Sequence, residues 1–327
     1  MKYQGKNIIG QYLGTQSIVR KYLGTVLFWE NVSEPEYRAD IIATYNVTST
    51  TTSSALVNSL SPTTIEAMWI DGVYNNPSDV EYLGDYKFPT TGEHTVVYKL
   101  YDNTTVPKKA FNTISRLTKV ELANTIKSIE SEAFMYCSNL VSVKLSDSLT
   151  SINSQAFSYC TSLSEITLPE SITSIGSSAF SSCKSLPSID IPESVTNIGS
   201  FAFAICTSLT DMVIPSGVTS INTSVFASSS LQSIQLPNTI TSIGNKAFND
   251  CRNLTSITIP SGVTFIPLET FGYCTSLKEI TALSPTAPEL GEDAFEQVPS
   301  SVTLYYPCGS DYSSWLTMIG CEDTCGS

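Results

Sequence analysis

Apolar residues recur along most of this chain with a period close to 23. Nine phenylalanines mark the rhythm: Phe111, Phe134, Phe157, Phe180, Phe203, Phe226, Phe248, Phe271 and Phe295, at spacings of 23, 23, 23, 23, 23, 22, 23 and 24. One copy, Leu163 to Cys183, reads LSEITLPESITSIGSSAFSSC. Ile166 and Leu168 alternate with polar neighbours, which predicts a short strand with its apolar side inward. Pro169 stops the ladder because it has no N–H to donate. Ile172 and Ile175 predict a second short extended piece. The spacing of Ala179, Phe180 and Cys183 predicts a single helical or 3₁₀ turn. One such copy has too few apolar side chains to offset the entropy of ordering itself. Repetition at this period therefore predicts a solenoid, in which neighbours supply the missing contacts.

The pattern changes at both ends. Residues 37–107 contain alternating runs, DIIATYNV, TIEAMWIDGV and HTVVYKLYD, separated by Ser/Thr-rich and Asn/Pro/Gly-rich turns. These predict strands of a small Ig-like β-sandwich. In residues 1–36, Tyr12-Leu13-Gly14-Thr15 recurs as Tyr22-Leu23-Gly24-Thr25, which predicts one or two hairpins forming an attachment segment and linker. The repeats occupy 108–306 as about eight 23-residue units. Residues 307–327, with Trp315 and Met318, read as a cap on the last unit.

Composition narrows the partners. The net charge is -13, and residues 151–300 hold four basic residues against twelve acidic ones. Nucleic-acid binding needs clustered Lys and Arg, so it is not expected. Neither is an anionic membrane surface, and no apolar run reaches the length of a membrane span. The first residues have no continuous apolar stretch of the kind a signal peptide carries. Six of the nine cysteines (Cys137, Cys160, Cys183, Cys206, Cys251 and Cys274) follow a repeat phenylalanine by three residues. One residue type at one repeat position reads as a packing ladder of reduced thiols, since free cysteine behaves as a small buried hydrophobe. The Phe226 copy has Ser229 there instead.

The phrase repeated in SLPSIDIPESVTNIGSFAFAIC, with Ile-Pro, Ile-Gly and Ala-Phe-x-x-Cys in register through eight or nine copies, closely resembles the BspA-like leucine-rich repeats. The resemblance covers about 60% of the chain. It implies a curved, β-rich solenoid with a parallel sheet on one face. It also implies a surface protein of gut or oral bacteria or mucosal parasites, linked to adhesion and host-protein binding and not to catalysis. The front part, with YLGTxxIxxxYLGTxLxWE and GEHTVVYKLYDNTTVP, is similar to proteins encoded by gut anaerobes and their phages. That likeness implies a virion fibre or decoration protein as one carrier and a bacterial cell surface as another, an extracellular location in either case. The N-terminal segment would then dock onto the carrier or a neighbouring subunit.

Candidate chemistry is sparse. The single histidine, His94, is expected on the surface of a sandwich strand. No nucleophile, phosphate-loop or metal motif is present, so no catalytic residue, metal or cofactor is assigned. Cys308, Cys321 and Cys325 lie outside the ladder. Cys308 and Cys321 are the pair expected to form a disulfide if the protein works outside a cell; plain packing is the alternative. The candidate binding surface is the outward side of the repeat strands. Its expected members are Lys144, Glu165, Thr167, Ser188, Asp190, Asp211, Val213, Gln235, Thr258 and Glu279, which vary while the inward residues do not. The acidic residues Glu165, Asp190 and Asp211 would favour a basic patch on a protein or cell-surface receptor. A solvated face, kept polar for solubility, or a purely structural particle protein is the competing reading. Tyr136, Tyr159 and Tyr273 offer a second patch along the turns.

Overall fold

The computed structural model describes residues 39–50, 56–57, 60, 64–75, 77 and 86–320, together with the backbone of the strands Ile18–Leu23, Val26–Asn31 and Asp323–Cys325. The first two of these strands pair antiparallel, with Leu23 opposite Val26.

Strict alternation builds the N-terminal sheet. In Ile41–Val47, residues 41, 43, 45 and 47 are buried, and in Gly92–Leu100 the buried set is His94, Val96, Tyr98 and Leu100. These two strands pair antiparallel, and Ile65–Ile70 and Val73–Asn75 complete the row. The other edge of Ile41–Val47 pairs antiparallel with Leu117–Leu122, which is already a repeat strand. One seven-stranded sheet thus runs from residue 75 into the solenoid as far as Glu165–Ile166. The expected Ig-like sandwich is not what the described residues form. Their strands lie in one sheet, whose apolar face meets Phe88 and Leu56 as well as the end of the repeat stack. Tyr98 sits edge-on to Phe111 with ring centroids 5.7 Å apart. The Tyr45 and Tyr98 hydroxyls bond to each other at 2.9 Å and both reach the carbonyl of Leu56. Asp40 ties the parts together: its carboxylate accepts from the Leu100 amide at 2.8 Å and from Thr125 Oγ1 at 3.4 Å. Burial holds its pKa above the usual carboxylate value despite those bonds.

His94 is buried, contrary to the expected surface position. It points to the apolar side of its strand, 4.5 Å from the ring of Phe88, with Nδ1 2.6 Å from Asp71 Oδ2 and Nε2 2.9 Å from the Thr90 carbonyl. Among the described residues, no group of three or more His, Cys, Asp or Glu is placed to hold a metal.

Each turn of the solenoid has three sides. The first is the long parallel sheet, with strands such as Ser142–Lys144, Asp211–Val213 and Ser256–Ile259. The second is a row of two-residue strands, from Thr105–Val106 through Ser128–Ile129 to Glu289–Leu290. Pairing of Thr105–Val106 with Ser128–Ile129 places the start of the stack slightly before residue 108, and nine turns follow. The third side carries the Ala-Phe-x-x-Cys phrase. It is not helical or 3₁₀ as expected. Each copy holds two residues of positive φ four apart, such as Ser178 (55°) and Ser182 (62°). Left-handed residues at these points turn alternate amides toward the next copy. The amides of Ser178, Phe180 and Ser182 donate to the carbonyls of Ser200, Ala202 and Ala204 at 2.8–2.9 Å. The same three bonds recur at every junction, Lys109 through Tyr273. A helical turn would have directed these donors inward along its own axis.

The core is a column of phenylalanine rings. Consecutive rings lie 5.2–6.0 Å apart and within 15° of parallel. The column is closed by Tyr98 at one end and Trp315 at the other, 5.2 Å from Phe295. Trp315 belongs to the helix Ser313–Ile319, the only helix among the described residues, and its indole N–H donates to the Pro288 carbonyl at 2.8 Å. Asp323–Cys325 then adds a parallel strand to Thr303–Tyr306. Cys308 is disulfide-bonded; Cys321, its expected partner, lies outside the described residues.

The six ladder cysteines are free and buried. Each thiol donates to the carbonyl of the phenylalanine 26 residues earlier, at 3.0–3.2 Å, except that Cys251, after the shortened copy, reaches back 25 residues to Phe226 at 3.1 Å. Ser229 instead meets the sulfur of Cys251 at 3.5 Å. Burial pushes the Cys137, Cys206 and Cys251 thiols up to about 12.

Candidate functional site

The strands of the long sheet alternate apolar and polar residues, and the polar set forms two exposed columns. Register places Lys119, Ser142 and Glu165 in one column, and Glu121 beside Lys144 in the other. Farther along, Asp211 sits beside Ser233 and Val213 beside Gln235. Ser256, Glu279 and Thr303 continue the first column, and Thr258, Thr281 and Tyr305 the second. All ten expected residues, Lys144, Glu165, Thr167, Ser188, Asp190, Asp211, Val213, Gln235, Thr258 and Glu279, are exposed. With strands ~4.8 Å apart the face is about 40 Å long.

The face is not one uninterrupted sheet. Ser188-Ile189-Asp190 forms no strand, so the sheet ends at Glu165–Ile166 and resumes at Asp211–Val213, and a second break separates Ser233–Gln235 from Ser256–Ile259. Pro187 explains the first gap. At the same place in the preceding copy, the Ser164 amide donates to the Val141 carbonyl at 3.0 Å, and proline has no such donor. The acidic residues Glu165, Asp190 and Asp211 flank this interruption. Asp211 accepts from the Ser233 hydroxyl at 2.6 Å, which lowers its pKa. Cations sit at the N-terminal end instead, where Lys144 lies 3.7 Å from Glu121 and Lys119 4.0 Å from Glu93. The face is thus mixed in charge at one end, acidic in the middle and hydroxyl-rich toward the other end. Tyr305, exposed in the second column, is an aromatic member absent from the expected set.

The turn side carries a second patch. Tyr136 and Tyr159 stack with centroids 4.7 Å apart, and both are exposed. Tyr273 is separate, its hydroxyl donating to Glu296 at 3.0 Å, which raises its pKa. Phe201 (45% exposed) and Ile205 (39%) join this side. They occupy the two left-handed positions of one turn, with φ of 60° and 61°. A β-branched residue there is an outlier. A helical reading of the turn hid them; the signal was Phe201 where the other copies carry only polar residues, and Ile205 where they carry Tyr or a polar residue.

No helix among the described residues is long and apolar enough to cross a membrane. The profile of the BspA type leucine rich repeat region matches in six copies, over residues 104–230 and 196–312. Among solved structures, a leucine-rich repeat protein from Bacteroides ovatus is 22% identical, over 69% of this chain and 80% of that one, with a TM-score of 0.44. A leucine rich cell surface protein from Faecalibacterium prausnitzii is 23% identical over 65% and 86%, with a TM-score of 0.45. The leucine rich repeat protein of T. pallidum is 27% identical over 57% and 86%, with a TM-score of 0.39. No curated protein matches.

Proposed function

Because the chain belongs to the BspA-type leucine-rich repeat family, we propose that it is a non-catalytic recognition protein of an extracellular surface, binding a protein or cell-surface receptor through the exposed sheet face. The observation that carries this reading is the pair of polar columns. Their residues vary from copy to copy on a backbone held rigid by the phenylalanine column and by three hydrogen bonds per turn junction. A solvated face could use one polar residue throughout, whereas variation on a regular lattice gives each strand a different contact. The acidic middle, Glu165, Asp190 and Asp211, fits a basic patch on the partner. The carrier is a bacterial cell or a phage particle, with residues 1–36 as the attachment segment.

The test is binding of the full-length protein to intact gut bacteria and to epithelial cells, beside a Glu165→Lys/Asp211→Lys variant. These residues are exposed, so the variant keeps its fold. The expected result is saturable binding to one cell type that weakens at least tenfold in the variant and with rising salt. Binding to neither cell type, or equal binding by the variant, overturns the proposal.

A further inference from the structure

Beside the second half of the sheet face lies an open groove of about 440 Å³, crossing four successive turns. Gln232, Asn253, Thr275, Ser276, Lys278 and Ser301 line it. Among the described residues, none of these six side chains hydrogen-bonds to another protein group, and Lys278 makes no ion pair. The same places in other turns behave differently. Thr161 and Thr207, equivalent to Thr275, donate back to the carbonyls of Ser138 and Lys184 at 3.1 and 3.5 Å. Asn139, equivalent to Asn253, donates to the Ser115 carbonyl at 2.7 Å. In the groove these groups are turned outward and left unused.

The lining also inverts the charge of the molecule. The chain has 30 acidic residues against 17 basic ones, yet the groove holds one ammonium and no carboxylate. Two carboxamides and several hydroxyls both donate and accept. Covering them with an apolar ligand would cost their hydration without return. A nucleic acid or other polyanion would need more than one cation. A saccharide satisfies the set: its hydroxyls match the amides and hydroxyls, and one carboxylate matches Lys278. The buried Leu277 and the half-buried Pro299 form the apolar floor. The volume lies within the range of ligand sites. We propose that this groove binds a carboxylated sugar residue, a uronate or sialate, of a surface glycan, with Lys278 as the carboxylate ligand.

The full-length protein is tested on an array carrying uronate-containing, sialylated and sulfated glycans and their neutral counterparts. Lys278→Gln is compared with Lys184→Gln, which removes another exposed lysine without an ion pair, outside the groove. The expected result is retention of carboxylated glycans over their neutral counterparts, weakened about tenfold in Lys278→Gln and unchanged in Lys184→Gln. No preference for any carboxylated glycan, binding of sulfated glycans alone, or equal retention by Lys278→Gln overturns the proposal. The sheet-face variant Glu165→Lys/Asp211→Lys keeps this retention, so the two readings fail separately.

Discussion

At the scale of single residues, the thiol ladder shows how one atom serves two needs. The sulfur fills a small space behind each phenylalanine ring, and its proton satisfies a carbonyl of the preceding turn. Its proton affinity follows from that burial. A folded pKa near 12 for Cys137, Cys206 and Cys251, against an ordinary thiol value of 9.0, means the folded state holds the proton more tightly than the unfolded one. The contribution to stability is therefore complete below pH 9 and lost as pH rises toward 12. Two results should follow. The six thiols should resist a thiol reagent at pH 8 until denaturant is added. The unfolding midpoint should also fall between pH 9 and 12, and less steeply in Cys137→Ser than in the parent; circular dichroism checks both slopes. The other five ladder thiols and the buried Tyr45 and Tyr98 hydroxyls, all raised by burial, keep the variant's midpoint falling as well. The ladder was legible in the sequence because identity at one repeat position means one environment. His94 was not, since a strand's polar residue can face inward whenever its two ring nitrogens find partners, and Asp71, 23 residues away, gives no sign of it in the sequence.

At the scale of elements, the strands could be read and the turns could not. Period-two alternation in ITL or SIT fixes which side faces inward, and Pro169 and its equivalents fix where each strand stops. The Ala-Phe-x-x-Cys phrase has helical spacing, yet its conformation is decided by carbonyl acceptors that belong to the next copy, which no single copy displays. The Ile-Gly step is the clearest case of an element imposed by its neighbour. A Cβ on Gly199 would lie 2.4 Å from the Ser177 amide nitrogen, and one on Gly176 2.6 Å from Asn153. Gly199→Ala should therefore destabilise the protein by about 1–3 kcal/mol, read from a denaturant midpoint. Asn222 occupies the same place one copy on. There the two-residue strands at Asn197–Ile198 and Ser220–Ile221 do not pair with each other, and the Asn222 side chain donates to the Ile198 carbonyl at 2.6 Å in place of a backbone amide.

At the scale of the whole molecule, both ends of the stack need covers, because a parallel sheet and a column of rings have no natural stopping point. The antiparallel sheet of residues 41–100 closes one end and the helix with Trp315 the other. Deleting residues 307–327 should expose Phe295 and the Thr303–Tyr306 edge. The truncated protein should then self-associate in size-exclusion chromatography, whereas the full chain should not do so through this edge. The sequence signalled the second cover by its aromatic residues, but nothing in the alternating strands of the first shows that Ile41–Val47 pairs with the repeat strand Leu117–Leu122. Those strands did need a partner surface, and the repeat stack supplies part of it through Phe111. One further consequence concerns load. Each sheet is interrupted twice, the long one at Pro187 and again between Ser233–Gln235 and Ser256–Ile259, the short one at Asn222 and again between Ser242–Ile243 and Phe265–Ile266; the widest ring spacing, 6.0 Å, lies at the first break, between Phe203 and Phe226. Across that region only the turn side remains fully bonded. A protein tethered at one end and gripped at the other would thus bend there like a door on its leaf, opening the two sheets while the turns act as the pin, and would yield under tension in blocks set by these breaks rather than unravel from its tip.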